Sequence, residues 1–167
     1  MDLYILRHGK AQDHGHPMGD HARDLTVVGA REVERIGDSM KALGINLDIV
    51  VTSPLIRAKR TAMIVTERMN LKKPVEWDEL KPEMNLSLLY RRLSDIGVSS
   101  RILLVGHEPQ LSELISDVMT GRKESYLNVI LKKPGLAKLS MRVVTPNRLE
   151  GDLLWLIPPK ILRMISK

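Results

Sequence analysis

The sequence predicts an α/β fold: a three-layer α/β/α sandwich around a mostly parallel central sheet. Two observations predict it. Short, apolar, β-branched segments recur at 2–7, 48–52 and 101–106, and read as buried strands. Longer stretches with apolar residues near helical spacing lie between them, so strands alternate with helices as in parallel βαβ units.

The first segment, DLYILR, is apolar over 3–6 and stops abruptly at Arg7-His8-Gly9. A polar loop rich in Gly and His follows over 9–24 and reads as a solvated, mobile rim. TVVGAREVERIGDSMKALG is predicted helical, with Thr26 as N-cap and Gly44 as its stop. DIVVTS is the second strand. In SPLIRAKRTAMIVTERMN, Ser53 is placed to cap a helix and Pro54 to open it, with Ile56, Ala58, Ala62, Met63 and Val65 supplying apolar faces. A further helix is expected over 85–96, and RILLVG is the third strand. PQLSELISDVMTG reads as a helix with Pro109 near its start and Gly121 past its end. The tail holds strand-like LNVIL, LAKLSMRVV and DLLWLI, a turn at Lys132-Lys133 before Pro134-Gly135, and a short helix after Pro158-Pro159. With no repeat, low-complexity run or linker, 1–167 is expected to be one domain.

Composition narrows the function. At 167 residues the chain is long enough to bury a sizeable core, which must come from Leu, Ile, Val, Met and Ala because aromatics are 3% and Phe is absent. The absence of Cys excludes disulfides, thiolate metal sites and a Cys nucleophile. No uncharged apolar stretch reaches the ~18 residues of a membrane span. Arg7 and His8 interrupt any signal-like start, so a cytoplasmic protein with no membrane partner is expected. A net charge of +6 favours anionic partners. The Lys59-Arg60 and Arg91-Arg92 clusters lack an aromatic platform, so exposed helix faces are expected there and no nucleic-acid partner.

Three strand ends carry polar residues: Arg7-His8-Gly9; Thr52-Ser53-Pro54, leading to Arg57; and Gly106-His107-Glu108-Pro109. In open α/β sheets ligands bind beyond the carboxyl ends of strands. If the three strands are parallel neighbours, Arg7, His8, Arg57 and His107 meet in one crevice. Two fixed cations, two imidazoles and a helix start describe an anion pocket, most naturally for phosphate.

LYILRHGKA, TSPLIRAKRTA and LLVGHEPQLS resemble the three signature segments of the histidine phosphatase superfamily, also called phosphoglycerate-mutase-like. Within it, the short chain, the RDLTVVG segment and the GHEP form most resemble the SixA-type phosphohistidine phosphatases. The likeness runs from residue 2 to about 120 and is weaker beyond, where WLIPP is reminiscent. The resemblance implies that His8 is a nucleophile forming a phosphohistidine intermediate, that Arg7 and Arg57 clamp the phosphoryl oxygens, and that His107 donates to an equatorial oxygen. It also implies a phosphate-side turn at Gly9, and a backbone carbonyl that orients His8.

Larger members of the family use a carboxylic acid to protonate the leaving oxygen. Glu83, in DELKPEMNL, is one candidate acid, its alternative reading being a solvated loop carboxylate after Pro82; Glu108, beside His107, is the other candidate. A phosphohistidine leaves as imidazole, whose conjugate acid has a pKa of ~6.5, and needs little acid assistance. The expected substrate is therefore a phosphohistidine-containing protein. The alternatives are a small-molecule phosphomonoesterase or mutase acting on small phosphate esters, and a non-catalytic phosphate- or nucleic-acid-binding module. His14, His16 and His21 with Asp13 and Asp20 match no trusted metal spacing, and neither metal nor cofactor is expected.

Overall fold

In the computed structural model, which describes residues 1–121 and 126–165, the chain order is β1 (Asp2–Arg7), α1 (Val27–Ala42), β2 (Ile49–Thr52), α2 (Ile56–Met69), β3 (Val75–Glu76), α3 (Leu86–Ser94), β4 (Arg101–Gly106), α4 (Gln110–Thr120), β5 (Leu136–Thr145), β6 (Arg148–Ile157) and α5 (Pro159–Ile165). One six-stranded sheet runs β3-β2-β4-β1-β5-β6. The pairs joining β3, β2, β4 and β1 are parallel. β5 and β6 run antiparallel, because the two residues between them allow only a hairpin return.

The period-two alternation of buried strands builds two cores. Leu3 and Ile5 of β1 join Ile102 and Leu104 of β4, packed under α3 and α4. Tyr4 and Leu6 point the other way, with Leu103 and Val105, toward α1, α2 and α5. The three predicted layers follow from this division. Thr26 caps α1 as its sequence indicates, its Oγ1 accepting from the Gly29 N–H at 3.0 Å.

Two expectations are corrected. Ser53 and Pro54 do not begin α2, which starts at Ile56 after Leu55. Ser53 is fully buried; its hydroxyl lies 2.9 Å from His107 Nε2 and accepts only from the Leu55 N–H, at 3.3 Å, ahead of the first helical residue. LNVIL is not a strand: both edges of β1 are already taken, by β4 and β5, and the Leu131 carbonyl accepts from the Arg7 guanidinium at 2.8 Å.

The direction of the connections decides where the site lies. From β1 the chain moves outward through β2 to β3 along one face, then returns along the other to insert β4 beside β1. The carboxyl ends of β1 and β4 flank this reversal, where α/β sheets open a crevice. No helix among the described residues is long and apolar enough to cross a membrane.

Candidate active site

His8 follows β1 and is 4% exposed. Its Nδ1 lies 2.8 Å from the Gly9 carbonyl oxygen. A carbonyl only accepts, so Nδ1 carries the ring proton and the Nε2 lone pair is left free. The carbonyl that the family resemblance required is therefore that of the next residue.

Gly9 differs from expectation. Its N–H donates to Thr61 Oγ1 at 3.0 Å and its carbonyl holds His8, so both backbone groups are engaged within the protein and not with phosphate. Its φ lies outside the left-handed region. A Cβ there would come 2.6 Å from Val33 Cγ2, so glycine is required by the close approach of α1. Thr61 in turn donates to the Arg57 carbonyl at 2.7 Å, coupling α2 to the His8 loop.

His107 follows β4, its ring centroid 5.0 Å from that of His8 and its Nε2 2.9 Å from Ser53 Oγ. Burial, then His107, pushes the His8 imidazole down to about 2. Burial, then Arg57, pushes His107 down to about 3. Both rings are neutral at pH 7, as a nucleophile and a hydrogen-bonding partner require.

The arginines arrive from two directions. Arg7 is anchored through Nη1 to Leu131, while its buried Nε has no partner among the described residues. Arg57 is 4% exposed, and its Nη1 and Nη2 donate to the backbone oxygen and Oδ2 of Asp20, each at 2.8 Å. Asp20 Oδ1 also accepts from Arg23 Nη1 at 2.5 Å. Hydrogen bonding to Arg23, reinforced by Arg57, holds the Asp20 carboxyl below the usual carboxylate range.

Loop 9–24 is thus tied onto the pocket through Asp20, not wholly a mobile rim. Arg23, Asp20, Ser53, Thr61 and Lys133 extend the site beyond the residues predicted from sequence. Arg23 and Asp20 had a readable signal: a three-residue spacing just before the Thr26 cap. Lys133 had none. Burial, then Arg7, Arg23 and Arg57, pushes its ammonium down, which marks it as facing the same crevice.

The two carboxylates part ways. Glu83 is exposed in the turn before α3, where its field acts on Lys81. Glu108 is half-buried: Oε2 accepts from the Ser112 hydroxyl and Oε1 is buried without a partner among the described residues. Burial raises the Glu108 carboxyl, against the opposing effects of Ser112 and Arg7. Among the described residues no three His, Asp or Glu side chains converge as metal ligands; His14 instead lies beside Arg23 and Asp20. Chemically, the arrangement is a neutral imidazole with a free nitrogen inside a ring of cations, able to hold a tetrahedral anion against a nucleophile.

The family model described as "Histidine phosphatase superfamily (branch 1)" matches residues 3–96. An uncharacterised protein of Picosynechococcus is 30% identical over 97% of this chain and 99% of its own length. The phosphohistidine phosphatase SixA of Escherichia coli K12 is 29% identical over 72% of this chain and 76% of its own. A solved SixA structure complexed with tungstate superposes with a TM-score of 0.81 at 24% identity, covering 97% of this chain and 99% of that one.

Proposed function

Since the chain belongs to the histidine phosphatase superfamily (branch 1), we propose that it is a phosphatase that takes a phosphoryl group onto His8 and transfers it to water, with phosphohistidine-bearing proteins as its substrates. The observation that carries the reading is the state of His8: neutral, held by the Gly9 carbonyl through Nδ1 with Nε2 left free, its ring centroid 5.0 Å from that of His107 and within the field of Arg57. The relationship to E. coli SixA supports the choice of substrate.

Arg7 and Arg57 hold the phosphoryl oxygens, with Arg23 joining them once Asp20 gives way. Nε2 attacks phosphorus, and the new N–P bond forms as the leaving nitrogen departs with the electrons of its own bond to phosphorus. His107 donates to an equatorial oxygen. Water then attacks the phosphorus, the electron pair returns to Nε2, and phosphate is released. A departing imidazole accepts a proton near neutrality, so this substrate makes little demand on an acid. Glu83, exposed in the turn before α3, is not needed for it.

A second reading, hydrolysis of small phosphate esters, is favoured by one observation: a half-buried Glu108 with a raised pKa adjoins His107. An alkoxide leaving group does need that proton.

The test joins trapping to a substrate panel. Acid-labile phosphoryl label should map to His8 and disappear, with turnover, in His8→Ala; label on another residue overturns the nucleophile. Glu108→Gln should slow ester hydrolysis about 100-fold while phosphohistidine hydrolysis changes less than about 3-fold. Glu83→Gln should change neither. Wild-type protein inactive on every phosphohistidine protein but active on esters would transfer the assignment to the second reading.

A further inference from the structure

Beside the crevice lies a groove of about 360 Å³. Pro158, Pro159 and the exposed Ile161 line it, together with Lys132, Lys133 and Lys160. Its far side carries Arg163, neutralised by an ion pair with Glu32. Sheet register puts the groove at the catalytic end: Ile157 pairs with Leu136, and Leu136 with Leu6, two residues before His8. The turn bearing the two lysines is also tethered to β1, since the Gly135 carbonyl accepts from the Arg7 N–H at 3.2 Å. Lys133 belongs to both places, lining the groove and sensing the site arginines.

Charge pairing is sparse at this groove. By contrast Lys59, Lys81 and Lys138 are each matched, to Glu76 at 2.7 Å, to Asp78 at 2.8 Å and to Asp2 at 2.8 Å. Among the described residues no carboxylate lies within 4.0 Å of Lys132, Lys133 or Lys160. Three uncompensated ammonium groups around one opening leave a positive field suited to an anion. The phosphoryl group itself is served by the arginines, so these lysines can address a different part of the substrate.

We propose that this groove docks an acidic segment of the phosphorylated partner protein, lying next to the histidine that carries the phosphoryl group. The inference rests on the phosphohistidine-protein reading above and adds how such a partner is selected. A polypeptide fits better than nucleic acid: Pro158, Pro159 and Ile161 offer apolar contact, no aromatic ring lines the groove for base stacking, and Glu32 interrupts any basic track.

The experiment compares wild type with Lys132→Glu/Lys160→Glu, both positions outside the phosphate pocket, and with the milder Lys132→Gln/Lys160→Gln. Two small proteins phosphorylated on histidine with phosphoramidate, one with an acidic surface beside the phosphohistidine and one neutral, serve as substrates. Free phosphohistidine is the control. Charge reversal should lower kcat/KM on the acidic protein about 10-fold, mainly through KM, and flatten its salt dependence. The neutral protein and free phosphohistidine should be unaffected, and the Gln pair should fall between. A fluorescent peptide of eight Glu and Asp residues should bind wild type and not the reversed variant. Unchanged kcat/KM on the acidic protein together with unchanged peptide binding overturns the proposal. So does a groove that binds a DNA or RNA oligonucleotide and not the peptide. Peptide binding lost on charge reversal, in a protein that hydrolyses no phosphohistidine substrate, would keep the acidic docking groove and overturn the activity reading.

Discussion

Asp20 holds both terminal nitrogens of Arg57 at 2.8 Å and Arg23 at 2.5 Å, the donors that a phosphoryl group would recruit. Its carboxylate is kept ionised by those same arginines. Carboxylate and phosphate therefore compete for one set of N–H groups. The side chain of Asp20 is 51% exposed, so the contact is screened and its loss is a moderate effect. Asp20→Asn should bind inorganic phosphate and tungstate about 3- to 10-fold more tightly, read as a lower inhibition constant at neutral pH. Weaker binding would instead make Asp20 a residue that positions Arg57. At this scale Arg7, His8 and His107 could be picked out from sequence because each sits at or just past a strand end, and Arg57 because it lies in the first turn of the helix that follows one. Lys133 could not, since only folding brings it to the crevice, and Arg23 carried no more than its three-residue spacing from Asp20 ahead of the Thr26 cap.

The elements that frame the site meet at unusually short range. α1 crosses the chain leaving β1 so closely that a Cβ on Gly29 would stand 2.0 Å from the Lys10 carbonyl oxygen. The same carbonyl accepts from the Thr26 N–H at 2.9 Å, so the helix cannot slide away without losing its entry. Because the obstruction is backbone, no rotamer change relieves it. Gly29→Ala should destabilise the fold by about 2 kcal/mol or more, lowering Tm by roughly 4–8 °C, and should also reduce turnover by displacing the loop after His8. A Tm unchanged within error would show that α1 is free to shift. Helix and strand placement was largely legible here because periodicity and caps are local: Thr26, Pro109 and Gly121 lie where their chemistry predicts. Ser53 misled because a cap residue and a buried hydroxyl partner for His107 look identical in sequence.

For the whole molecule, burying two imidazoles ties stability to pH. The unfolded chain protonates histidine at ~6.5, whereas folding holds His8 down to about 2 and His107 to about 3. Between those values the unfolded state binds protons that the folded state does not. Stability is therefore fully present above pH ~6.5 and is lost as pH falls toward the folded values, with a slope of up to ~1.4 kcal/mol per pH unit from each ring. Thermal unfolding from pH 6.5 to 4.5 should show a shallower loss of Tm in His8→Gln/His107→Gln than in wild type; equal losses would mean that the rings are not the source. The sequence by itself determined the layered α/β architecture and singled out Arg7, His8, Arg57 and His107 as candidates, since alternation, capping and abrupt polar stops are local properties of the chain. Only the tertiary structure decided the rest. Folding put Asp20 on Arg57, made Gly9 a packing contact with α1, set the exposed Glu83 apart from the half-buried Glu108, and gathered Lys132, Lys133 and Lys160 around one groove. Those are facts of distance and solvent exclusion between segments far apart in the chain, and no local pattern encodes them.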